Sequence, residues 1–481
     1  MQNIHDIDAF AEELRAASGV EIHAEHAQIE PYIHDWRRRY SVNLAPVAFP
    51  RNTAEVSCLM RFCHEQGIQV IPQGGNTGLS GGTVVPDAGK TVIINTHRLS
   101  QIIEADEVNC SVTVGAGCVL DTVNEVLNDT GMYLPIQLGS SGSCQIGGLI
   151  AANAGGINAI KYGVVRDLVL GLEVVLPDGQ VWNGLRKVYK DNSGYNLKHW
   201  FIGSEGTLGV ITAACLKTVA RPMHSVSAMI AVEDVSAAVR LFCNFRRKFQ
   251  GKTEAFEIIS RDQLLCVTNE MKLTSPMEVN HAFYLMVELS SFGDSSALQS
   301  DLENILEAAL DTNLIIDAVI ANNSAKAQHI WTLRHSISEA NIRTGPTIAS
   351  DTCVPVSQLP SFINTVHEKL RAEIDNARVH FTGHLGDGNV HVSVVLDRGV
   401  YADPALRAET VARVNDIVQR LTYENEGVIS AEHGIGSAYL FEMNQYRADL
   451  DIELMTQIKR CLDPRGIMNP GKVLPEINKE N

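Results

Sequence analysis

Two histidines stand seven residues apart in His384-Leu-Gly-Asp-Gly-Asn-Val-His391, across a Gly-Asp-Gly turn. Val392, Val394 and Val395 follow, so His391 is expected at the start of a buried strand. Further along comes Ser430-Ala431-Glu432-His433-Gly434-Ile435-Gly436. Two imidazoles and a carboxylate are a usual ligand set for a divalent ion, and three protein ligands rather than four point to catalysis. The plain alternative is a pair of hydrogen-bonded core histidines. The flanking glycines weigh against it, because they let a ligand approach the backbone. His433, beside a candidate ligand, suits a general base, since an imidazole has a neutral form available near pH 7. Arg334, in Trp331-Thr-Leu-Arg334-His-Ser-Ile-Ser338, carries a planar fork that matches a carboxylate. A helix-surface ion pair would use the same fork.

A second chemistry is written in glycines. Pro72-Gln73-Gly74-Gly75-Asn76-Thr77-Gly78-Leu79-Ser80-Gly81-Gly82 holds five glycines in eleven positions and follows an expected strand. Without Cβ atoms, backbone N–H groups can crowd around one anion, and a pyrophosphate suits such a cradle. A surface loop is the alternative. Two more clusters follow: Gly139-Ser140-Ser141-Gly142-Ser143-Cys144-Gln145-Ile146-Gly147-Gly148 with Asn153-Ala154-Gly155-Gly156, and Gly203-Ser204-Glu205-Gly206-Thr207-Leu208-Gly209. Three such loops fit a cofactor lying along a groove. They do not fit a Rossmann unit, where one loop opens one helix. Val112-Thr-Val-Gly115-Ala-Gly117 starts like the dinucleotide fingerprint, but Leu120 occupies the third glycine position. It reads as a strand-to-helix turn.

The elements that carry these loops alternate. Strands are expected at Val47–Phe49, Gln69–Ile71, Thr91–Ile94, Ser111–Val114 and Leu170–Leu176, the last entering Pro177-Asp178-Gly179. Helices are expected at Asn52–Glu65, opened by Asn52 or Thr53, and at Leu120–Asp129. Arg221-Pro222 marks a boundary. Beyond it come strand Ser227–Val232, helix Val235–Phe249, strands Ala255–Ile259 and Ala282–Glu288, helix Ser296–Leu310 and strand Leu314–Ile320. This suggests an α+β sheet covered by helices on one face. One long helix is expected to carry Trp331 to Arg343.

With 481 residues, the chain exceeds one ordinary core and suggests two or three domains. Apolar residues at 45% and charged residues at 20% exclude a disordered chain. A net charge of -17 with no basic stripe argues against a nucleic-acid partner. The N-terminal stretch lacks the pattern of a secretory signal, and no apolar run is long enough to span a membrane. Ten scattered cysteines without a CxxC pair read as reduced, mostly buried thiols. The expected location is the cytoplasm, or the inner membrane face as a peripheral protein.

From about residue 40 to Leu474 the chain resembles the FAD-linked D-2-hydroxy-acid dehydrogenases of the vanillyl-alcohol-oxidase superfamily. That group includes D-2-hydroxyglutarate dehydrogenase, cytochrome-type D-lactate dehydrogenase and the flavin subunit of glycolate oxidase. The strings that carry the resemblance are PQGGNTGLSGG, GSCQIGG, NAGG, YGVVRDLVLGLEVVLPDG, FIGSEGTLGVIT, GHLGDGNVH, SAEHGIG and DPRGIMNPGKVLP. The resemblance implies an α+β chain: a PCMH-type FAD-binding domain of two α/β subdomains over residues 1–222, an α+β substrate and metal-binding cap over 223–450, and a segment 451–481 that returns to the first domain. FAD is then held by Pro72, Gln73, Gly74, Gly75, Asn76, Thr77, Gly78, Ser80 and Gly81, by Gly139, Ser140, Gly142, Ser143, Ile146, Gly147 and Gly148, by Asn153, Gly155 and Gly156, and by Glu205, Gly206, Gly209, Val210 and Asn469. Asn76 stands where some superfamily members attach FAD to a histidine, so the flavin is expected to be non-covalent. By the same resemblance His384, His391 and Glu432 bind the divalent metal, often zinc. His433 is the acid/base and also meets substrate, and Arg334 and Ser338 bind substrate.

Two positions depart from the hydroxyglutarate enzymes. Ala349 stands where they carry a lysine, and Ser393 where they carry an asparagine. Asp351-Thr-Cys353-Val-Pro-Val also looks more like the lactate branch. The expected reaction is oxidation of a D-2-hydroxy acid (D-2-hydroxyglutarate, D-lactate or D-malate) to the 2-oxo acid. A quinone, a cytochrome or an electron-transfer flavoprotein would take the electrons, and the chain is expected to be a homodimer. Two rival readings are the flavin subunit of a glycolate-oxidase-type respiratory complex and a metal hydrolase without flavin.

Overall fold

The computed structural model describes residues 4–36, 38–40, 43–86, 90–293 and 295–475. Residues 1–3 and 476–481, the latter ending the expected C-terminal segment, lie outside the described residues. The chain divides into two compact units. The first comprises Met1–Gly156, Gly163–Arg221 and Glu432–Asn481, and the second Ile157–Tyr162 and Pro222–Ala431.

In the first unit, strand Thr91–Asn95 runs parallel to both Val47–Ala48 and Gln69–Gln73. Its Thr-Val-Ile-Ile-Asn run is buried at every position, as expected for a parallel strand covered on both faces. Helix Thr53–Gln66 makes one crossover. Asn52 Oδ1 accepts the Glu55 N–H at 2.9 Å, and left-handed Gly67 ends it. The C-terminal segment joins this sheet beside Val70, whose N–H donates to Ile467 O and whose carbonyl accepts the Asn469 N–H, both at 2.8 Å. A second sheet is antiparallel, in the order Ile102–Asp106, Ser111–Gly115, Val210–Lys217, Val169–Val175, Val181–Gly184. Gly115 and Gly117 have a physical reason here. A Cβ would lie 2.1 Å from Leu99 O at the first and 1.9 Å from Thr96 O at the second.

The second unit is built on a seven-stranded antiparallel sheet. Its order is Asp317–Ile320, His224–Val232, Phe283–Ser291, Thr253–Ser260, Arg378–His384, Asn389–Val395, Thr347–Cys353. Helices cover both faces, not the one face that the alternation suggested. Ala228, Ile230 and Val232 point to the core under helices Val235–Lys248, Ser295–Asp311, Leu359–Glu373 and Pro404–Glu424. Met229 and Ala231 point to the opposite core, under Arg261–Met271, Ser324–His335 and Ile337–Thr344. A strand apolar at successive positions calls for cover on both sides. The expected long helix over Trp331 to Arg343 is also corrected: it breaks at Ser336. Ser336 Oγ bonds back to Thr332 O at 2.8 Å, a competition with the backbone that bends helices.

Candidate active site

On one face of the second unit's sheet the strands set out a row of polar side chains. His384 ends strand Arg378–His384, and a tight turn leads into strand Asn389–Val395, where His391 is the third residue rather than the first. The two rings lie 5.7 Å apart and nearly perpendicular. Each ring turns Nδ1 to a carboxylate on the neighbouring strand. Glu257, opposite His384 in the register, takes its Nδ1 at 2.5 Å. Asp351, opposite His391, lies 3.5 Å from that ring's Nδ1. Asp351 also accepts from Asn389 Nδ2 at 2.8 Å and from the Ala431 N–H at 3.2 Å. Both carboxylates have 1% side-chain exposure, so their order is fixed by these bonds rather than by water. Glu432 follows Ala431 directly in the chain.

Arg334 reaches the same row from helix Ser324–His335, where Asn323 caps the N-terminus by accepting the Lys326 N–H. Its Nε donates to Glu257 Oε2 at 2.7 Å, and its side chain is 13% exposed. Burial pushes the Glu257 carboxyl up, but the charges of His384 and Arg334 outweigh it and leave the pKa lowered to about 2. Ser338 lies in the next helix and is exposed. Ala349 and Ser393 face each other across paired strands.

In the first unit the glycine loops meet backbone to backbone. A Cβ on Gly75 would lie 2.0 Å from Ser143 O, and one on Gly74 would lie 3.5 Å from Gly148 N. Gly206, left-handed at φ +73, packs on Pro72, and a Cβ on Gly155 would meet Glu432 Oε1 at 2.6 Å. Gly78 and Gly139 face open space. Asn76, Asn153, Glu205 and Asn469 hold left-handed backbone, which non-glycine residues rarely adopt. Buried Asn469 Oδ1 has no hydrogen-bond partner among the described residues, while its Nδ2 holds Gly82 O and Glu205 O. A backbone-lined cradle with an orphaned buried acceptor fits the polar groups of a dinucleotide cofactor.

Several side chains expected at the flavin are committed elsewhere. Gln73 Nε2 bonds Tyr32 O at 2.7 Å, and its Oε1 accepts from Asn95. Asn76 Nδ2 bonds His34 O, and Ser80 Oγ bonds His433 O. Glu205 accepts the Ile435 and Gly436 N–H groups at 2.8 and 2.9 Å, clamping the loop that carries His433. Burial raises the Glu205 pKa against these two bonds. Sequence reading missed Glu257 and Asp351. The signal for Glu257 was an acidic residue inside the buried run Ala-Phe-Glu-Ile-Ile, where charge is almost never found unpaired.

Two family models match the chain: "FAD binding domain" over residues 44–184 and "FAD linked oxidases, C-terminal domain" over 221–473. A probable D-2-hydroxyglutarate dehydrogenase of Oryza sativa subsp. indica is 37% identical, covering 92% of this chain and 77% of its own length. The D-2-hydroxyglutarate dehydrogenase of Rattus norvegicus is 36% identical, covering 92% and 80%. That of Xanthomonas citri pv. viticola is 33% identical and covers 95% of each chain. Among solved structures, p-cresol methylhydroxylase with substrate bound matches with a TM-score of 0.75 at 16% identity, over 98% of this chain and 97% of that one. That likeness shows the fold alone. The rice and rat relatives are named as mitochondrial, which overturns the cytoplasmic location expected from the sequence. With the second family model matching more than half of the chain and these relatives aligned over more than nine-tenths of it, the chain belongs to the FAD-linked oxidase family, as an FAD-dependent hydroxy-acid dehydrogenase.

Proposed function

We propose that this dehydrogenase oxidises a D-2-hydroxy acid to the 2-oxo acid at a divalent-metal site formed by His384, His391 and Glu432. D-2-hydroxyglutarate, the acid in its relatives' names, is the first substrate to test. The observation that supports this reading is the pair of histidines backed by buried carboxylates. A ring whose Nδ1–H is held by a carboxylate presents Nε2 as the ligand atom and gains basicity there. Bound FAD supplies the acceptor for the hydride from C2, and a bound metal supplies positive charge that lowers the pKa of the substrate hydroxyl. His433, peptide-bonded to Glu432, takes the hydroxyl proton. Arg334 grips the substrate carboxylate with its terminal nitrogens while its Nε stays on Glu257, and Ser338 adds a hydroxyl. The glycine loops hold FAD without a covalent bond, since Asn76 offers no nucleophile. Electrons leave to a quinone, a cytochrome or an electron-transfer flavoprotein, and the working form is a homodimer.

The test is anaerobic flavin reduction followed by visible absorbance, with D- and L-forms of 2-hydroxyglutarate, malate and lactate, alongside metal analysis. D-acids should bleach the flavin and L-acids should not. His384→Ala, His391→Ala and Glu432→Gln should each lose metal and keep FAD. Full metal content and turnover in any one of them would remove that residue from the ligand set. Ala349 and Ser393 carry no charge for a second carboxylate, so the ratio of D-2-hydroxyglutarate to D-lactate turnover reads their effect directly.

A further inference from the structure

Glu257 sits in the middle of strand Thr253–Ser260, which is buried along its whole length. An isolated carboxylate there would cost several kcal/mol. It is paired twice, and its two oxygens are divided. Oε1 holds Nδ1 of His384 at 2.5 Å, and Oε2 holds Nε of Arg334 at 2.7 Å. The partners come from different elements, a strand and a helix of the opposite layer. One is a candidate metal ligand and the other a candidate substrate clamp. The terminal nitrogens of Arg334 make no hydrogen bond among the described residues, so its Nε contact aims the fork without occupying its outer edge.

We propose that Glu257 is a positioning residue that couples metal binding to recognition of the substrate carboxylate. The inference rests on the metal reading above. A carboxylate behind a histidine orients the ring and strengthens Nε2 as a donor to the metal. Arg334 draws on the same carboxylate and places a positive charge beside the ligand shell. When a substrate carboxylate neutralises Arg334, more of the Glu257 charge serves His384, and the metal is held more tightly. By linkage, the metal then tightens substrate binding by the same factor.

The experiment is a Zn²⁺ titration of the metal-stripped, FAD-loaded enzyme by calorimetry, without substrate. Glu257→Gln keeps the volume and removes the charge, and Zn²⁺ affinity should fall by roughly 10–100-fold. Arg334→Gln should change it in the opposite direction, raising Zn²⁺ affinity by on the order of several-fold as a nearby positive charge is lost. A general loosening of the site would lower both. His384→Ala is the reference. If it leaves Zn²⁺ affinity unchanged, the metal reading itself fails. If it abolishes binding while Glu257→Gln stays within two-fold of wild type, or while Arg334→Gln weakens binding, the coupling role is overturned. Should Glu257→Gln not fold, the Arg334→Gln arm decides alone, because the sign of its effect separates coupling from structural damage.

Discussion

Asp351 does more for His391 than hold one ring nitrogen. It also accepts the Ala431 N–H, and so ties down the residue that leads into Glu432 and His433. The candidate base therefore follows a segment anchored to a strand, and its other side is clamped by Glu205 through the Ile435 and Gly436 N–H groups. Such anchoring suits a group that must meet a proton in one geometry. His433→Asn should keep FAD and metal yet slow flavin reduction by roughly 10²–10⁴-fold, the usual worth of a positioned base. Stopped-flow absorbance on metal-replete protein measures this. Reduction within a few-fold of wild type would assign the proton to another group. At this scale the sequence was legible where chemistry was local: His384, His391 and Glu432-His433 announce themselves by their flanking glycines. Glu257 was not, because it meets His384 across 127 residues of chain, and only strand register brings them together.

Between elements, a buried polar chain ties helix Ile337–Thr344 to the sheet. His380 Nδ1 lies 3.2 Å from Asn341 Oδ1, and Asn341 exchanges two amide bonds with Gln263 of helix Arg261–Met271. Burial pushes the His380 imidazole from 6.5 down to about 4. The folded pKa lies below the unfolded one, so the neutral ring contributes stability above about pH 6.5. That contribution is lost as the pH falls from 6.5 through 4. Replacing the ring in His380→Gln should flatten this part of the stability profile, as read from urea midpoints at pH 7 and pH 4.5. Parallel losses in variant and wild type would place the acid sensitivity elsewhere. The capped and patterned elements were readable in advance, Thr53–Gln66 with its Asn52 cap among them. The break at Ser336 was not, because a serine hydroxyl turned back to Thr332 O leaves no trace in apolar spacing.

At the scale of the whole chain, both units are assembled from separated segments, three in the first and two in the second. The last segment is structural in the first unit. Ile467 and Asn469 bond both sides of Val70, Asn469 bridges Gly82 and Glu205, and Lys459 Nζ reaches Thr207 O at 2.7 Å. Deleting residues 451–475 should therefore cost the first unit its FAD, measured as flavin absorbance per protein after gel filtration. A truncated chain that retains a full complement of flavin would show that the cradle stands without these contacts. Glycine clusters made the cradle legible, but its closure by Met468 and Asn469 depends on pairing that runs across nearly the whole chain.

That closure also sets an order of events during synthesis. The ribosome makes strand Gln69–Gln73 early, then the whole of Pro222–Ala431, and only afterwards the residues that flank Val70. Until then the growing chain carries an open strand edge, the kind of surface on which nascent proteins associate wrongly. That strand edge therefore stays uncovered for as long as the second unit is being translated.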